Sequence, residues 1–209
     1  MPSKKLFVAL FVPVFAVAAQ RVDLSTSDKT DFAPGGTVRI ENSTGELNVE
    51  GWDQPFVEIR TDRYAWSAKA DLKRLYVIKK LEGNTLTITT RHKRFSDIRV
   101  NYRILVPRNT KLVIHHGTGS VIVYGVEGDI DASANVGDVV VQLRDPAKYK
   151  IDASTNLGTI YSDFAGTTKG RRLHMGSGLS GEEDGTGDQR HITLHVKTAG
   201  GITIQKVSV

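Results

Sequence analysis

Apolar and polar residues alternate with a period of two along most of the chain, in runs short enough to be strands and broken by glycine. Val38 to Val49 reads VRIENSTGELNV, and Leu112 to Val123 reads LVIHHGTGSVIV. Ile130 to Val141 reads IDASANVGDVVV, and Ile151 to Ser162 reads IDASTNLGTIYS. Each predicts two alternating strands joined by a small polar corner that contains a glycine. The last two share six of twelve positions, at an offset of 151 − 130 = 21 residues. Leu194 to Ile204, LHVKTAGGITI, fits the same phrase with one residue deleted. A single strand–corner–strand unit cannot bury its apolar side alone, so a period of about 20 residues predicts units stacked on one another. The alternation points Ile130, Ala132, Val136, Val139 and Val141 inward, and Asp131, Ser133 and Asp138 outward. Stacking in chain order puts Ala132 level with Ala153 and sets Asn135 directly over Asn156, with Gly137 and Gly158 at the corner.

Other segments depart from the phrase. FVEIRTDRYA predicts a strand, and WSAKADLKRLY a short helix or irregular crossing. YVIKKLEGNTLTITTR predicts a hairpin turning at Glu82-Gly83-Asn84, and IRVNYRILVP a strand ended by Pro107. Residues 166–190 hold seven glycines and read as exposed turns. The fold class predicted is all-β: a right-handed β-solenoid or β-helix-like stack of short strands with Gly/Asn corners, elaborated by an irregular hairpin region in the N-terminal half. Residues 36–111 supply the first coil and the basic hairpin region, and residues 112–209 the regular coils and the Gly-rich loop. A β-sandwich would also give short strands with glycine turns, but the fixed Asn and Gly spacing favours stacking.

Composition narrows the setting. Lys4 and Lys5, the apolar run from Leu6 to Val14 and the small-x-small site Ala16-Val17-Ala18 mark residues 1–19 as a secretory signal peptide, leaving 20–209 as one domain. That run is too short for a permanent span, and no later segment is apolar enough, so the mature form has no transmembrane segment and is expected in the periplasm or at the cell surface. The 209 residues include no Cys, which excludes disulfides, lipid-modified cysteine and thiolate metal sites. Export makes nucleic acid an implausible partner despite a formal charge of +5. That charge is uneven: Arg60 to Lys111 holds fourteen basic and four acidic residues, net +10, whereas nine basic and eleven acidic residues follow.

The run VNYRILVPRNTKLVIHHGTGSVIVYGVEGDIDASANVGDVVV resembles the bacterial "putative adhesin" domains of unknown function, which are related in style to autotransporter adhesin head domains. Their recurring text, a strand ending in Pro and then G-x-V-x-V-x-G-x-x-G-x-I-x-A, falls here on Pro107, Gly119 to Val123, Gly125, Gly128-Asp129-Ile130 and Gly137-Asp138-Val139. The closing TAGGITIQK is similar to the family's final coil. The resemblance runs from about Gly36 to the end and implies a secreted β-solenoid with an adhesive role. It supplies no catalytic residues.

Candidate chemistry is sparse. His191 and His195 alternate with apolar residues, so they share a strand face about 13 Å apart, too far to hold one ion. His115-His116 reads as a polar corner. Gly176 to Gly181 matches G-x-G-x-x-G but lacks the strand–helix setting of a phosphate loop. The acidic stretch Glu182 to Gln189 could offer oxygen ligands to Ca²⁺ but does not match a known loop. Asp129, Asp131, Asp138 and Asp152 could form a carboxylate ladder like that of polysaccharide-active solenoid enzymes, although Gly-Asp is also an ordinary turn pair. The feature tied most closely to function is the basic group Arg91, Lys93, Arg94, Arg99 and Arg103, interleaved with aromatics and suited to an anionic envelope polymer or glycan. The expected function is thus an exported, non-enzymatic, cofactor-free binding or adhesion module of the cell envelope. The alternatives are a carbohydrate-active β-helix enzyme using in-register Asp residues, or an envelope-stress or signalling accessory.

Overall fold

The structure, a computed structural model, describes residues 21–67, 69–92, 98–144, 149–164, 167–171, 176–181 and 190–207. The leader at 1–19 lies outside them. The described chain is all-β, built from two mixed sheets that do not close into a barrel. The first sheet runs β1 (Val22–Asp31), β4 (Phe56–Ala65), β7 (Arg99–Pro107), β3 (Leu47–Trp52), β9 (Val121–Tyr124), β11 (Val139–Leu143), β17 (Ile202–Lys206) and β13 (Ile160–Ser162). The second runs β14 (Thr167–Arg171), β15 (Gly176–Gly181), β12 (Tyr149–Thr155), β16 (Arg190–Ala199), β10 (Ile130–Val136), β8 (Lys111–Thr118), β2 (Thr37–Thr44), β6 (Thr85–His92) and β5 (Leu75–Glu82).

In both sheets the central strands pair in parallel; antiparallel pairs lie at both ends of the second sheet and at one end of the first, whose other end is β13, parallel to β17. β1 and β4 cap the first sheet; β5 caps one end of the second, and β15 with β14 caps the other. Antiparallel ends of this kind cover strands that would otherwise invite further parallel pairing. The predicted hairpin is β5–β6, turning at Gly83 with φ +57°. WSAKADLKRLY becomes a crossing with a single 3₁₀ turn at Leu72–Arg74, capped by the Asp71 carboxylate accepting the Lys73 amide at 3.2 Å. Part of the stretch read as turns is strand: G-x-G-x-x-G is β15 itself. Residues 182–189, the calcium candidate, lie outside the described residues.

The units do not stack in chain order. β16 lies between β10 and β12, and β17 between β11 and β13; likewise β2 lies between β6 and β8, and β3 between β7 and β9. The two near-identical phrases are therefore neighbours of the C-terminal unit and not of each other. Asn135 does not sit on Asn156. The physical reason is in the register: Leu194 lies between Ala132 and Ala153, and Thr193 between Asp131 and Asp152. Direct contact would have set alanine on alanine, leaving a void, and carboxylate beside carboxylate. A large residue between two small ones fills the core, and a neutral hydroxyl separates the charges. Relative to β10, β16 has one more residue between Val196 and Ala199, taken up as a bulge. Val136, expected inside, is 40% exposed beside that irregularity.

Inward rows of Ile88, Ile40, Ile114, Ala132, Leu194 and Ala153 face Ile104, Val49, Val123, Val141 and Ile204 of the other sheet, all buried. The corner between the sheets is a column of Gly45, Gly119, Gly137, Gly200 and Gly158. Amides at Gly119, Gly137 and Gly200 donate to carbonyls of the next unit at 2.9 Å, so the ladder continues round the bend. At Gly137, φ is +125° and a Cβ would stand 2.1 Å from the Gly119 carbonyl oxygen. Gly83 has a positive φ but open space around it. Gly137→Ala is therefore expected to cost about 3 kcal/mol, from strain plus a backbone clash, and Gly83→Ala about 1 kcal/mol. Urea denaturation of the two variants would show it; equal losses would mean that the corner tolerates a side chain.

Candidate binding face

The basic group splits between the sheets. Arg91 pairs with Tyr76 at the outer face of the second sheet, whereas Arg99 and Arg103 project from the outer face of the first. Lys93 and Arg94 lie outside the described residues. β6 and β7 belong to different sheets, so a group contiguous in sequence is divided in space. Arg103 is also committed, with Nη2 donating to Glu50 at 2.8 Å.

The second sheet's outer face holds the histidine and aspartate candidates. His115, Ser133, His195 and Ser154 form one row across β8, β10, β16 and β12. His115 Nδ1 meets Ser133 Oγ at 3.0 Å, and His195 Nδ1 meets Ser154 Oγ at 2.7 Å. Ser133 Oγ donates to the Ile114 carbonyl at 3.3 Å, so His115 Nδ1 must be the donor to it. That histidine is not placed to take a proton from the serine. Asp131 and Asp152 are exposed in the neighbouring row, on an open face. Asp138 accepts the Gly201 amide at 2.7 Å, and Asp129 the His191 amide at 3.0 Å and the Lys111 ammonium at 3.3 Å. Burial pushes the Asp129 carboxyl up, but the His191 amide and Lys111 outweigh it and hold it below its ordinary value. Among the described residues, no three His, Asp or Glu side chains gather as a metal site would require.

A groove of about 420 Å³ at the end of the first sheet's outer face went unread in the sequence. Trp52, Asp53, Gln54, Arg108, Asn109 and Glu127 line it, with Pro34, Pro55 and Pro107. Trp52 is the last residue of β3 and pairs with Pro107, which sets its side chain on the outer face. Its ring is fixed by Nε1 donating to the Phe56 carbonyl at 3.0 Å and by edge-on packing against Phe56 at 4.6 Å. Arg108 forks onto Asp53, with Nε to Oδ1 at 2.6 Å and Nη2 to Oδ2 at 3.1 Å, and also donates to the Gly125 carbonyl at 3.4 Å. The Arg108 hydrogen bonds hold the Asp53 carboxyl below its usual range. The result is an aromatic ring beside amide, carboxylate and guanidinium groups that are already positioned. The same outer face continues through Glu50, Tyr124 and the amide pair Gln142–Gln205, at 3.2 Å, to Tyr161, which is 59% exposed. The only local signal was a Trp-Asp-Gln-Pro turn after a strand.

No family model matches the chain, and no curated protein matches it. Among solved structures it is similar to a "putative cell adhesion protein" from Clostridium sporogenes. The two are 11% identical with a TM-score of 0.52, over 88% of this chain and 100% of that one. A "putative adhesin" from Bacteroides fragilis, 8% identical, gives 0.30 over 87% of this chain and 97% of that one. A "putative lipid binding protein" from Parabacteroides distasonis, 12% identical, gives 0.29 over 66% and 63%. The first likeness establishes the fold alone. No helix among the described residues is long and apolar enough to cross a membrane.

His116, the second member of the polar corner, points into the core instead. It is 3% exposed, and neither ring nitrogen has a hydrogen-bond partner among the described residues. Burial pushes its pKa below the ordinary 6.5, opposed more weakly by the Gly45 and Thr118 backbone. As pH falls, the unfolded chain takes up this proton first, so stability is expected to drop from about pH 6.5 downward. His116→Leu should flatten the dependence of the urea midpoint between about pH 7 and pH 5. An unchanged slope in that window would place the acid sensitivity elsewhere.

Proposed function

We propose that the chain is an exported, non-enzymatic binding module of the bacterial cell envelope, which grips a glycan-bearing envelope polymer along the outer face of the first sheet. The observation behind this reading is the Trp52 groove. A fixed indole flanked by Asp53, Gln54, Asn109, Glu127 and Arg108 offers a stacking surface and planar hydrogen-bonding groups, which suit the apolar and hydroxylated sides of a sugar ring. Tyr124, Tyr161 and the Gln142–Gln205 pair extend the same face across several strands, so a polymer could follow it beyond one residue. Exposed Arg99 adds positive charge to that face, which favours an anionic polymer. The scaffold behind the face is best described as a right-handed solenoid-like winding, the hand that parallel crossovers favour. An adhesive role, as in the description of the Clostridium protein, fits such a face.

The test is a binding screen of the purified chain against soluble envelope glycans and anionic polymers, repeated with Trp52→Ala and Arg91→Ala. Trp52→Ala is expected to weaken retention at least ~10-fold, as for a buried aromatic anchor. Arg91→Ala, on the opposite sheet, should leave it unchanged. No bound polymer would remove the function; binding lost with Arg91→Ala but kept with Trp52→Ala would move the site to the other face.

A further inference from the structure

Where β1, β4 and β5 come together, the space between the sheets turns polar. Thr26 pairs with Thr61, Asp28 with Ile59, Arg63 with buried Val100 and Lys79 with buried Ile88, so these side chains project inward. They border a cavity of about 260 Å³. Lys79 Nζ is committed, lying 2.6 Å from Asp28 Oδ2 and donating to Thr30 Oγ1 at 2.9 Å. Thr26 and Thr61 share one hydrogen bond at 2.7 Å, which uses one hydroxyl hydrogen and leaves the other to donate. Nearby Tyr102 is occupied too: Thr90 donates to Asn42, so the Tyr102 hydroxyl donates to Thr90.

Arg63 is the exception. Its Nε is buried without a hydrogen-bond partner, and no carboxylate among the described residues pairs with its guanidinium. On the same strand, by contrast, Glu58 takes Arg60 at 2.7 Å and Ser27 at 2.9 Å. With Lys79 and Asp28 cancelling, the described residues that line the cavity leave one uncompensated positive charge. An Nε–H buried between two sheets with no acceptor is costly, and an apolar side chain there would remove the cost. Arg63 lines the cavity, so a ligand of opposite charge held there would supply the missing acceptor.

We propose that this cavity is a binding site for an oxyanion, the carboxylate or phosphate group of a small ligand. Arg63 is its principal donor, with the free threonine hydroxyl hydrogen in support. The site lies between the sheets and does not depend on the outer-face reading.

The experiment is thermal unfolding of the whole chain with inorganic phosphate or acetate in separate arms, each against chloride at equal ionic strength. At ten times the dissociation constant the bound anion should raise Tm by about 3–5 °C. A shift with phosphate alone assigns a phosphate-bearing ligand, with acetate alone a carboxylate-bearing one, and with both a general oxyanion site. No shift in either arm overturns the proposal. Arg63→Met should abolish the shift while leaving the anion-free protein at least as stable as the parent. A large loss of basal stability would instead mean that Arg63 already has a partner in the protein. Exposed Arg99→Met should keep the shift; losing it there would reduce the effect to overall charge. Should Arg63→Met not fold, Arg63→Lys keeps the charge without the planar fork, and its shift should fall by at least half; an unchanged shift would overturn the assignment.

Discussion

Backbone meets backbone at the corner between the two sheets, and most of the architecture depends on that approach. Carbonyl oxygens of one glycine lie about where the next glycine's Cβ would be, at 2.0–2.1 Å from Gly119 to Gly158. Only a residue without a side chain lets the hydrogen-bond ladder turn there without a break. Because the ladder is unbroken, each sheet fixes the register of the other. The inward valines and isoleucines of successive units then meet at strand spacing and bury a continuous core.

That shared corner also explains how the C-terminal unit can enter the middle of the stack. Gly200 offers the same geometry as Gly137 and Gly158, so the corner accepts any of them as a neighbour. Side chains make the choice. Leu194 fills the space that Ala132 and Ala153 leave, and Thr193 keeps Asp131 and Asp152 apart. The likeness of the two central phrases thus keeps them apart in space: identical units lack the large-against-small complementarity that close packing requires. As the neighbour of both, β16 joins segments distant in sequence, a topology that folds slowly by loop closure alone.

Much of the fold was legible because period-two alternation and corner glycines are local signals. The strands around Ile130 and Ile151, the β5–β6 hairpin at Gly83 and the strand ending at Pro107 all follow from adjacent residues. Spatial order was not legible, because every unit presents the same inward pattern and pairing is decided by one or two positions such as Leu194. The candidate site was less legible still. Arg91 and Arg99 are eight residues apart yet face opposite sides, since the chain changes sheets between them. The Trp52 groove gathers residues from four separate segments, and Arg63 looks ordinary until its neighbours are known to leave it without an acceptor.

The strand order turns on β16 separating β10 from β12. The natural chain has no Cys, so paired substitutions give a clean reading. Ser133→Cys with His195→Cys places the two on adjacent strands, whereas Ser133→Cys with Ser154→Cys places them two strands apart, at about 9.6 Å and beyond disulfide reach. Oxidation followed by mass analysis should find the intramolecular bond in the first pair and not in the second. A bond in the second pair and none in the first would show the two central units stacked directly, and would contradict the order described.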